Sequence, residues 1–391
     1  MSMKFDQITD RNHSFSLKWD VTEGELPMWV ADMDFETAPA VVAALKETVE
    51  RGIFGYSIVP KEYYAAVSSW WRRRYGVHFA HSDILFATGV IPALSSIVRK
   101  ITTVGEKVVI QPPVYSLFYN CIQNNGRIVL ENPLHYENGC YQIDFVDLEQ
   151  KLSDPQTTMM ILCNPHNPIG KSWKKEDLAR IGELAKQYHV TVIADEIHCD
   201  LTDVGISYTP FVSASETCRD ISITCVAPSK TFNLAGLQSA SVIVPNPVLR
   251  HKVWRGLNTD EVAEPNAFAM GAAIAAYTGG EDWLEELRGY LTQNRRIAIG
   301  FIKQNIPRLK PIDANATYLL WIDCSAIAAD TRELCTYLRQ QTGLYVSDGA
   351  QFGGNGRAFI RINLATQRDR VLDGLCRLRD GVSGYDKKTA G

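Results

Sequence analysis

Short apolar segments alternate with helical patterns between residues 84 and 245, and this alternation constrains the fold more than any other feature. The segments are rich in Val and Ile and show no polar alternation, as expected for strands covered on both faces. They lie at 106–111, 127–132, 158–164, 190–195, 221–227 and 239–245. Between two of them, Leu178 and Ile181 recur at helical spacing in a helix predicted over 174–189. The pattern predicts an α/β fold, a three-layer sandwich with a mainly parallel central sheet.

A different pattern begins after residue 280 and predicts a second, smaller domain. A chain of 391 residues is longer than one ordinary hydrophobic core supports. Strand-like pieces at 316–324 and 358–365 flank a helical segment that begins at Thr331, which is typical of an α+β domain. We therefore expect a large domain over residues 46–280, a C-terminal small domain over 281–391, and an N-terminal segment, 1–45, that contributes to the small domain.

Composition and charge exclude several classes of function. The net charge is −4 and the pI is near 6.1, so we expect no nucleic-acid partner. The longest apolar stretch, 267–277, is too short to span a bilayer, so we expect a buried helix and no membrane partner. The nine cysteines occur singly and the N-terminal residues lack a signal-peptide pattern, which predicts a cytoplasmic protein. The basic stretch from Arg72 to Arg74 follows an aromatic helical segment and is interpreted as a solvated helix end.

Residues suited to holding a ligand follow the predicted strands, where ligands bind in open α/β sheets. Thr88 and Gly89 break the chain after a short strand and before a helix in which Pro92 takes an early position. The N-terminus of such a helix can bind a phosphate, although a glycine there is also common for structural reasons. Tyr115 follows another strand and two prolines, where it either stacks on a flat ring or packs in the core.

Two further strands end in polar residues. In CNPHNPIG, at 163–170, two Asn-Pro pairs and a glycine predict a tight loop in which Asn167 offers a fixed amide donor. Asp195 ends the next strand, where a buried carboxylate needs a cation nearby. Glu196 and His198 follow it, but no second His or Cys stands at metal-ligand spacing, so we expect no metal site.

Lys230 stands just after the strand at 221–227, although lysine is rarely buried unless something pairs or reacts with it. It is either half of an ion pair or an amine held ready to react with an aldehyde. Together the strand-end residues fit pyridoxal 5′-phosphate, which needs a phosphate cup, a stacking ring, a donor to its phenolate oxygen, an acid partner for its pyridine nitrogen and a lysine for its aldehyde. Gly89, Val90 and Ile91 are assigned to the phosphate cup, and Tyr115 to the stacking ring. Asn167 is assigned to the phenolate oxygen, Asp195 to the pyridine nitrogen and Lys230 to the aldehyde.

The same motifs resemble those of a known family. The order and spacing of N-P-x-N-P-x-G, D-E and S-K-x-x-N are similar to those of fold-type-I pyridoxal-phosphate enzymes of the class-I/II aminotransferase superfamily, and the similarity covers nearly the whole chain. Within it, the stretches LPMWVADMDF, GYSIVP, PPVYSLF, ADEIHCDL and SKTFNLAGLQ resemble the cystathionine β-lyase branch. The resemblance implies an enzyme that uses pyridoxal phosphate and acts on a small amino-acid substrate.

The resemblance also implies roles for residues outside the strand ends. Tyr56 is expected to reach the phosphate of the cofactor in a neighbouring subunit, which implies a homodimer with shared active sites. Arg361 is expected to bind the substrate α-carboxylate through two parallel hydrogen bonds. Ser229 is expected to contact the phosphate, and the loop with Trp29 and Ala31 to border the substrate entrance.

Two positions depart from the common pattern of the superfamily and resemble the lyase branch instead. Gln238 stands where many relatives have an arginine, so a strong positive clamp on the phosphate is missing and backbone amides, Ser229 and Tyr56 must hold it. His198 stands where many relatives have a tyrosine, so the phenolate oxygen is expected to be held differently.

The resemblance implies β-elimination from an S-substituted cysteine such as cystathionine, with pyruvate, ammonia and a thiol as products. Lys230 is expected to remove the Cα proton as the general base, and Lys230, Tyr56 or Tyr115 to supply a proton to the leaving group. Two alternatives stay open at this point. One is an aminotransferase of the same superfamily, and the other is a regulatory protein that has kept the lyase fold.

Overall fold

The computed structural model describes residues 5–390, so residues 1–4 of the predicted N-terminal segment and residue 391 of the predicted small domain lie outside the described residues. The strands are β1 (Leu26–Pro27), β2 (Ile84–Ala87), β3 (Lys107–Ile110), β4 (Ile128–Glu131), β5 (His135–Glu137), β6 (Cys140–Gln142), β7 (Thr157–Cys163), β8 (Thr191–Asp195), β9 (Ser222–Val226), β10 (Ala240–Ile243), β11 (Lys310–Pro311), β12 (Leu319–Asp323), β13 (Leu344–Tyr345), β14 (Ser347–Asp348) and β15 (Phe359–Asn363). The helices are α1 (Pro39–Arg51), α2 (Lys61–Tyr75), α3 (Val90–Ile101), α4 (Leu117–Gln123), α5 (Phe145–Leu152), α6 (Lys175–Gln187), α7 (Phe211–Ala214), α8 (Glu216–Ile221), α9 (Pro228–Thr231), α10 (Pro247–Thr259), α11 (Ala269–Gly279), α12 (Glu281–Asn305), α13 (Thr331–Thr342) and α14 (Arg368–Ala390).

A seven-stranded sheet in the order β2-β10-β9-β8-β7-β3-β4 forms the centre of the fold. Among these seven strands, β10 alone runs opposite to the other six. The six strand segments found in the sequence all belong to this sheet, and each observed strand lies within two residues of its predicted bounds. The prediction of an α/β fold with a mainly parallel central sheet is confirmed.

Helices cover both faces of this sheet because alternate strand residues point to opposite sides. Along β7, Met159, Ile161 and Cys163 pack in a core with α3, α4 and α10, whereas Met160 and Leu162 pack in a second core with α5, α6, α7 and α8. All five side chains are buried. Burial on both faces explains why the segments lack polar alternation, and it gives the three layers that the sequence predicts.

The carboxyl ends of β2, β3, β7, β8 and β9 lie at one edge of the sheet. Strand β10 is antiparallel to both β2 and β9, so those two strands run in the same direction. The segments after the five strands carry Gly89, Tyr115, Asn167, His198 and Lys230, respectively. Residues that are far apart in the chain therefore meet at the edge where ligands bind in such sheets.

A second, antiparallel sheet in the order β11-β12-β15-β14 forms a separate core with α13 and α14. Strand β1 pairs in parallel with β13 through Leu26 and Leu344, and Trp19 packs into this core. Phe35, which follows shortly afterwards, packs with α1, α2 and α11 instead, and helix α12 contributes to both cores. The domain bounds at residues 45 and 280 stay a prediction.

Two smaller expectations have different outcomes. Most of the apolar stretch 267–277 lies in the largely buried helix α11, and among the described helices none is long and apolar enough to cross a membrane. The solvated helix end predicted at Arg72 to Arg74 is wrong for Arg74, whose side chain is only 11% exposed. Its Nε lies 3.1 Å from a carboxylate oxygen of the buried Asp200, so Arg74 belongs to an internal ion pair.

Candidate active site

A cavity of about 280 Å³ opens at the carboxyl edge of the central sheet. Its volume is close to the lower end of the ~300–1,000 Å³ range of small-molecule sites. Trp29, Tyr56 and Arg361 do not line it, but Arg361 contacts Asn167 of the cavity wall and Trp29 contacts Arg361. All the other predicted site residues line the cavity, namely Ala31, Gly89, Val90, Ile91, Tyr115, Asn167, Asp195, His198, Ser229 and Lys230.

The N-terminus of α3 contributes to the cavity wall. Gly89 precedes the first turn of the helix, which holds no acidic residue, so the free N–H groups and the positive end of the helix dipole favour an anion there. Ser229 and Gln238 line the same cavity. Within the described part of the chain, Lys230 is the one cavity-lining side chain that carries a positive charge. An anion bound at α3 would therefore rely on N–H groups and hydroxyls.

Asp195 is the last residue of β8 and is 4% exposed. Burial raises the pKa of this carboxyl group to about 7, although the N–H of Ile197, 3.2 Å from Oδ1, and the charge of Lys230 act in the opposite direction. In the register of the sheet Asp195 stands between Cys163 of β7 and Cys225 of β9. A carboxylate in these apolar surroundings is strongly stabilised by any cation that enters the cavity.

Lys230 lies in the single turn of α9 and points towards the loop that contains Ala31. Its Nζ donates to the carbonyl oxygen of Ala31 at 2.6 Å. Burial lowers the pKa of this amine to about 8, and the nearby Arg361 lowers it further, whereas Asp32 and Asp195 raise it. A lysine with this pKa has a substantial neutral fraction near neutral pH, and the neutral amine is the form that acts as a nucleophile or base.

The tight loop after β7 holds Asn167 against Arg361 of β15. Gly170 closes this loop at φ 67°, and a Cβ there would lie 2.7 Å from the Cβ of Ala314, so the position requires glycine. Asn167 Oδ1 accepts from Nη1 of Arg361 at 3.0 Å, which turns the amide nitrogen of Asn167 away from Arg361. Asn167 is thereby fixed as a hydrogen-bond donor on the cavity wall.

Arg361 is a buried cation without an anionic partner. It is 6% exposed, its Nη2 donates to the carbonyl oxygen of Trp29 at 3.0 Å, and its Cζ lies 4.7 Å from the ring centre of Phe352. Among residues 5–390 no carboxylate is in ion-pair contact with it, and its buried Nε has no hydrogen-bond partner. Burial lowers the pKa of this guanidinium group to about 10. A carboxylate-bearing ligand would supply the missing charge.

The loop that carries Trp29 and Ala31 lies beside this arginine. The ring of Trp29 stacks on Tyr345, with ring centres 4.8 Å apart, and its carbonyl oxygen accepts from Ser347 as well as from Arg361. The carbonyl oxygen of Ala31 accepts from Tyr318 at 3.0 Å in addition to Lys230. The loop is therefore held in place through its backbone at the cavity.

Tyr115 and His198 remain neutral at the cavity wall. Burial and the charge of Asp195 raise the pKa of Tyr115 to about 12, so its hydroxyl keeps its proton. Burial, Lys230 and Arg361 lower the pKa of His198 to about 3. The buried Nδ1 of His198 has no partner among the described residues. Both side chains can donate or accept a hydrogen bond without adding a charge.

Tyr56 does not reach the cavity of its own chain. It lies in the extended segment between α1 and α2, and its side chain is fully exposed, as are large parts of Ile53, Phe54 and Ile58. The structure of one chain therefore leaves the predicted role of Tyr56 as a prediction.

Sequence reasoning missed several contributors to the site, namely Ile197, Ala235 and Ser239 of the cavity lining and the two residues that follow. Cys163 lines the cavity, and its position next to the end of the strand predicted over 158–164 was a usable signal. Tyr318 contacts the Ala31 loop from the start of the second sheet, and nothing in the sequence indicates that contact.

Comparison with known proteins gives the family. Residues 26–378 match the family "Aminotransferase class I and II", which is most of the chain. The chain belongs to this family. It is also 43% identical over 388 residues to cystathionine beta-lyase PatB of Bacillus subtilis (strain 168), a match that covers 97% of this chain and 100% of the relative. The predicted membership of the superfamily and the similarity to its lyase branch are confirmed.

Solved structures of the family agree with the fold. Cystalysin from Treponema denticola, whose structure contains a pyridoxal 5′-phosphate cofactor, superposes with a TM-score of 0.94 at 31% identity, over 98% of this chain and 100% of that one. The PLP-bound C-S lyase from Staphylococcus hominis superposes with a TM-score of 0.91 at 32% identity, over 98% of each chain.

Proposed function

We propose that this protein is a pyridoxal 5′-phosphate-dependent carbon–sulfur β-lyase that cleaves cystathionine or related S-substituted cysteines to pyruvate, ammonia and a thiol. The observation that carries the proposal is one cavity lined by Lys230, Asp195 and the N-terminus of α3, with the unpaired cation of Arg361 in contact with Asn167 of the cavity wall. Cystathionine is the substrate named for the Bacillus subtilis relative, and it supports the choice of substrate here.

The residues of the cavity fit this cofactor. The N-terminus of α3 suits a phosphate, Asp195 suits a protonated pyridine nitrogen, Asn167 offers an amide donor, and Lys230 offers an amine for an aldehyde. The unpartnered buried Nδ1 of His198 is a polar atom that a bound ligand would satisfy. All of these groups come from the strand-end segments at one edge of the sheet.

When bound, pyridoxal phosphate supplies a cationic ring that accepts electrons from the substrate Cα. Asp195 holds the proton on the ring nitrogen, because an adjacent cation lowers the pKa of this carboxyl group below its value of about 7 and keeps it ionised. Its burial excludes water from that contact and strengthens the attraction.

Two further side chains move protons in the proposed reaction. Lys230, whose amine has a pKa of about 8, takes the proton from the substrate Cα in its neutral form. The proton for the departing sulfur atom then comes from Lys230, which carries the one it took, or from Tyr115, whose hydroxyl stays protonated up to high pH. Arg361 binds the substrate α-carboxylate and orients the Cα proton towards Lys230.

The assembly and location of the protein are also part of the proposal. The exposed apolar residues Ile53, Phe54 and Ile58 suit burial against a second copy, in a homodimer in which Tyr56 of each chain completes the site of the other. The cysteines of the described residues are unpaired, which supports a reducing, cytoplasmic location. Sedimentation of a fully active monomer would contradict the shared site.

The test of the reaction is incubation of the holoenzyme with cystathionine in the absence of any 2-oxo acid. The proposal expects continuous release of pyruvate and thiol over many turnovers. A single turnover that resumes only when a 2-oxo acid is added would identify an aminotransferase instead. Lys230→Ala should abolish product release, whereas Lys252→Ala, at an exposed lysine of α10, should leave it unchanged. A binding function that survives Lys230→Ala would support the regulatory alternative.

A further inference from the structure

His166 lies at the centre of the loop after β7 and connects that loop to another one. The imidazole is 0% exposed, and its Nε2 lies 2.9 Å from the carbonyl oxygen of Pro113. Because a carbonyl oxygen only accepts, Nε2 carries the proton and donates it. The backbone of His166 is itself fixed, since its N–H donates to the carbonyl of Lys171 at 2.7 Å and its carbonyl accepts from Gly170 at 2.8 Å. The side chain is thus a rigid link to Pro113.

The two linked loops carry the groups that face the ring of the proposed cofactor. Asn167 directly follows His166, and Tyr115 follows Pro113 two residues later. Both line the cavity. The Pro113 loop is further held by the N–H of Val114, which donates to the carbonyl of Phe352 at 2.8 Å. The imidazole of His166 is therefore the side-chain contact that fixes the Asn167 loop relative to the Tyr115 loop.

The imidazole of His166 keeps the same protonation state near neutral pH. Burial lowers the pKa of His166 to about 4, and the ring packs edge-on against Trp173 with ring centres 5.6 Å apart. His166 therefore stays neutral above about pH 5, so a titration observed at higher pH belongs to another group.

We infer that His166 is a positioning residue for the lyase, one that fixes the amide of Asn167 and the ring of Tyr115 relative to each other at the cofactor ring; this role rests on the proposed function. It acts through Asn167 and Tyr115 and does not touch the reacting atoms. Loss of the link allows the Asn167 amide to move, and displacements on the order of 1 Å in a site cost about 10²-fold in rate.

The chromophore of the bound cofactor reports this positioning directly. A hydrogen bond from Asn167 to the phenolate oxygen favours the ionised form, so a weakened bond raises the pH midpoint of the visible absorbance change. A charge-assisted hydrogen bond corresponds to a shift of about one pH unit. General loss of stability does not move this midpoint.

The experiment compares holoenzymes that differ at His166. His166→Leu fills the space without a donor, His166→Asn places its amide short of the Nε2 position, and His166→Gln places an N–H close to it. Tyr63→Phe is the matched control, because it removes buried hydrogen bonds to Ser241 and to the carbonyl oxygen of Ala240, and neither of these residues lines the cavity. Absorbance titration, kcat and KM with cystathionine are measured for each protein.

We expect His166→Leu and His166→Asn to raise the absorbance midpoint by about one pH unit. Both variants should also lower kcat at least tenfold, with a smaller change in KM. His166→Gln should restore most of the midpoint and most of kcat. If His166→Leu does not fold, the pair of Asn and Gln variants decides. Midpoints equal to wild type, or an equal shift in Tyr63→Phe, overturn the inference. A wild-type protein without cofactor absorbance or pyruvate release would refute the proposed function instead, so the two failures are distinguishable.

Discussion

Replacement of Arg361 by methionine should make the protein inactive without making it unstable. The guanidinium group is 6% exposed and contacts Asn167 Oδ1 and the carbonyl of Trp29, but no carboxylate within the described residues. A buried cation without an anionic partner lowers the stability of the folded protein, and it is available to bind the carboxylate of a ligand. Arg361→Met keeps an apolar side chain of similar length and removes the charge, together with the contact of the guanidinium group on the ring of Phe352.

The expected change in the free energy of unfolding follows from the pKa of Arg361, which burial lowers from 12.5 to about 10. At 1.36 kcal/mol per pKa unit, the folded state disfavours the charged form by about 3 kcal/mol. Below about pH 10 arginine is protonated in both the folded and the unfolded chain, so this cost is fully present at neutral pH. Loss of two neutral-acceptor hydrogen bonds offsets part of the gain, at about 1 kcal/mol each. The free energy of unfolding of Arg361→Met should thus be unchanged or up to about 2 kcal/mol higher.

The magnitude for activity follows from the two hydrogen bonds that Arg361 is proposed to make with the substrate carboxylate. Hydrogen bonds to charged groups contribute about 1.5–3 kcal/mol each, which corresponds to a 10²- to 10⁴-fold fall in kcat/KM when both are lost. Pyruvate release gives kcat/KM, and urea unfolding of the holoenzyme without substrate gives the free energy of unfolding. A fall in kcat/KM below tenfold, or a destabilisation above about 2 kcal/mol, would refute the reasoning.

Arg295 supplies the matched control. It is 3% exposed, like Arg361, but its Nε lies 3.2 Å from a carboxylate oxygen of Asp203. Burial lowers the pKa of Arg295 as well, but Asp203 acts in the opposite direction. Arg295→Met leaves that partly exposed carboxylate, and the carbonyl oxygens of Ala316 and Thr317, without their donor, and should lower the free energy of unfolding by about 1–3 kcal/mol. Opposite outcomes for two equally buried arginines would separate a functional cation from a structural one.

Three further predictions concern other groups. The rate at which cofactor-free protein binds the cofactor again, measured by stopped-flow absorbance, should rise tenfold per pH unit and level off above about pH 8. The reason is that burial lowers the pKa of Lys230 to about 8 and that the neutral amine is the form that reacts. A rate that still rises at pH 10 would contradict this. Gln238→Arg should lower the Kd of the cofactor about three- to tenfold in equilibrium titration, because the substitution adds a cation at the cavity. The Kd of this variant should also depend more strongly on salt concentration, and a salt-independent Kd would contradict the prediction. Lys18→Met should lower the free energy of unfolding by about 2 kcal/mol in urea, because Nζ lies 2.9 Å from the buried Asp34. The full cost of an unpaired buried charge is not reached, because Arg11 remains 2.8 Å from the other oxygen of Asp34. Burial alone would raise the pKa of Asp34, but Lys18 holds it below its usual value, so the ion pair stabilises at neutral pH and this loss should shrink as Asp34 protonates in acid.

The large sheet and the cavity lining could be predicted from the sequence because both depend on local patterns. Asn167, Asp195 and Lys230 each stand at or just after the end of an apolar segment, and the carboxyl ends of parallel strands share one edge. The position of each residue relative to its own strand was therefore enough to bring all three to one cavity.

Contacts between distant segments could not be predicted in the same way. Arg74 sits in a run of three arginines, and such runs are usually solvated, but its acceptor Asp200 comes from the segment after β8. The contact of Tyr318 with the carbonyl oxygen of Ala31 could not be predicted either, because every residue has a backbone carbonyl and the sequence does not indicate which one accepts. Sequence patterns give the faces of elements, whereas these contacts depend on how the elements are packed together.

The loop from Trp29 to Met33 is held at the cavity through its backbone carbonyls. Arg361 donates to the carbonyl of residue 29, Asn363 to the carbonyls of residues 30 and 32, and Lys230 to that of residue 31. The side chains of strand β15 and helix α9 therefore hold the loop through its backbone, in addition to the stacking of Trp29 on Tyr345 and the ion pair of Asp32 with Arg11. A substitution at Asn363 would release two carbonyls at once and let the loop move relative to both Lys230 and Arg361. Asn363→Ala should accordingly lower kcat in the pyruvate assay, although Asn363 does not line the cavity, and a kcat equal to wild type would contradict this role of the backbone contacts.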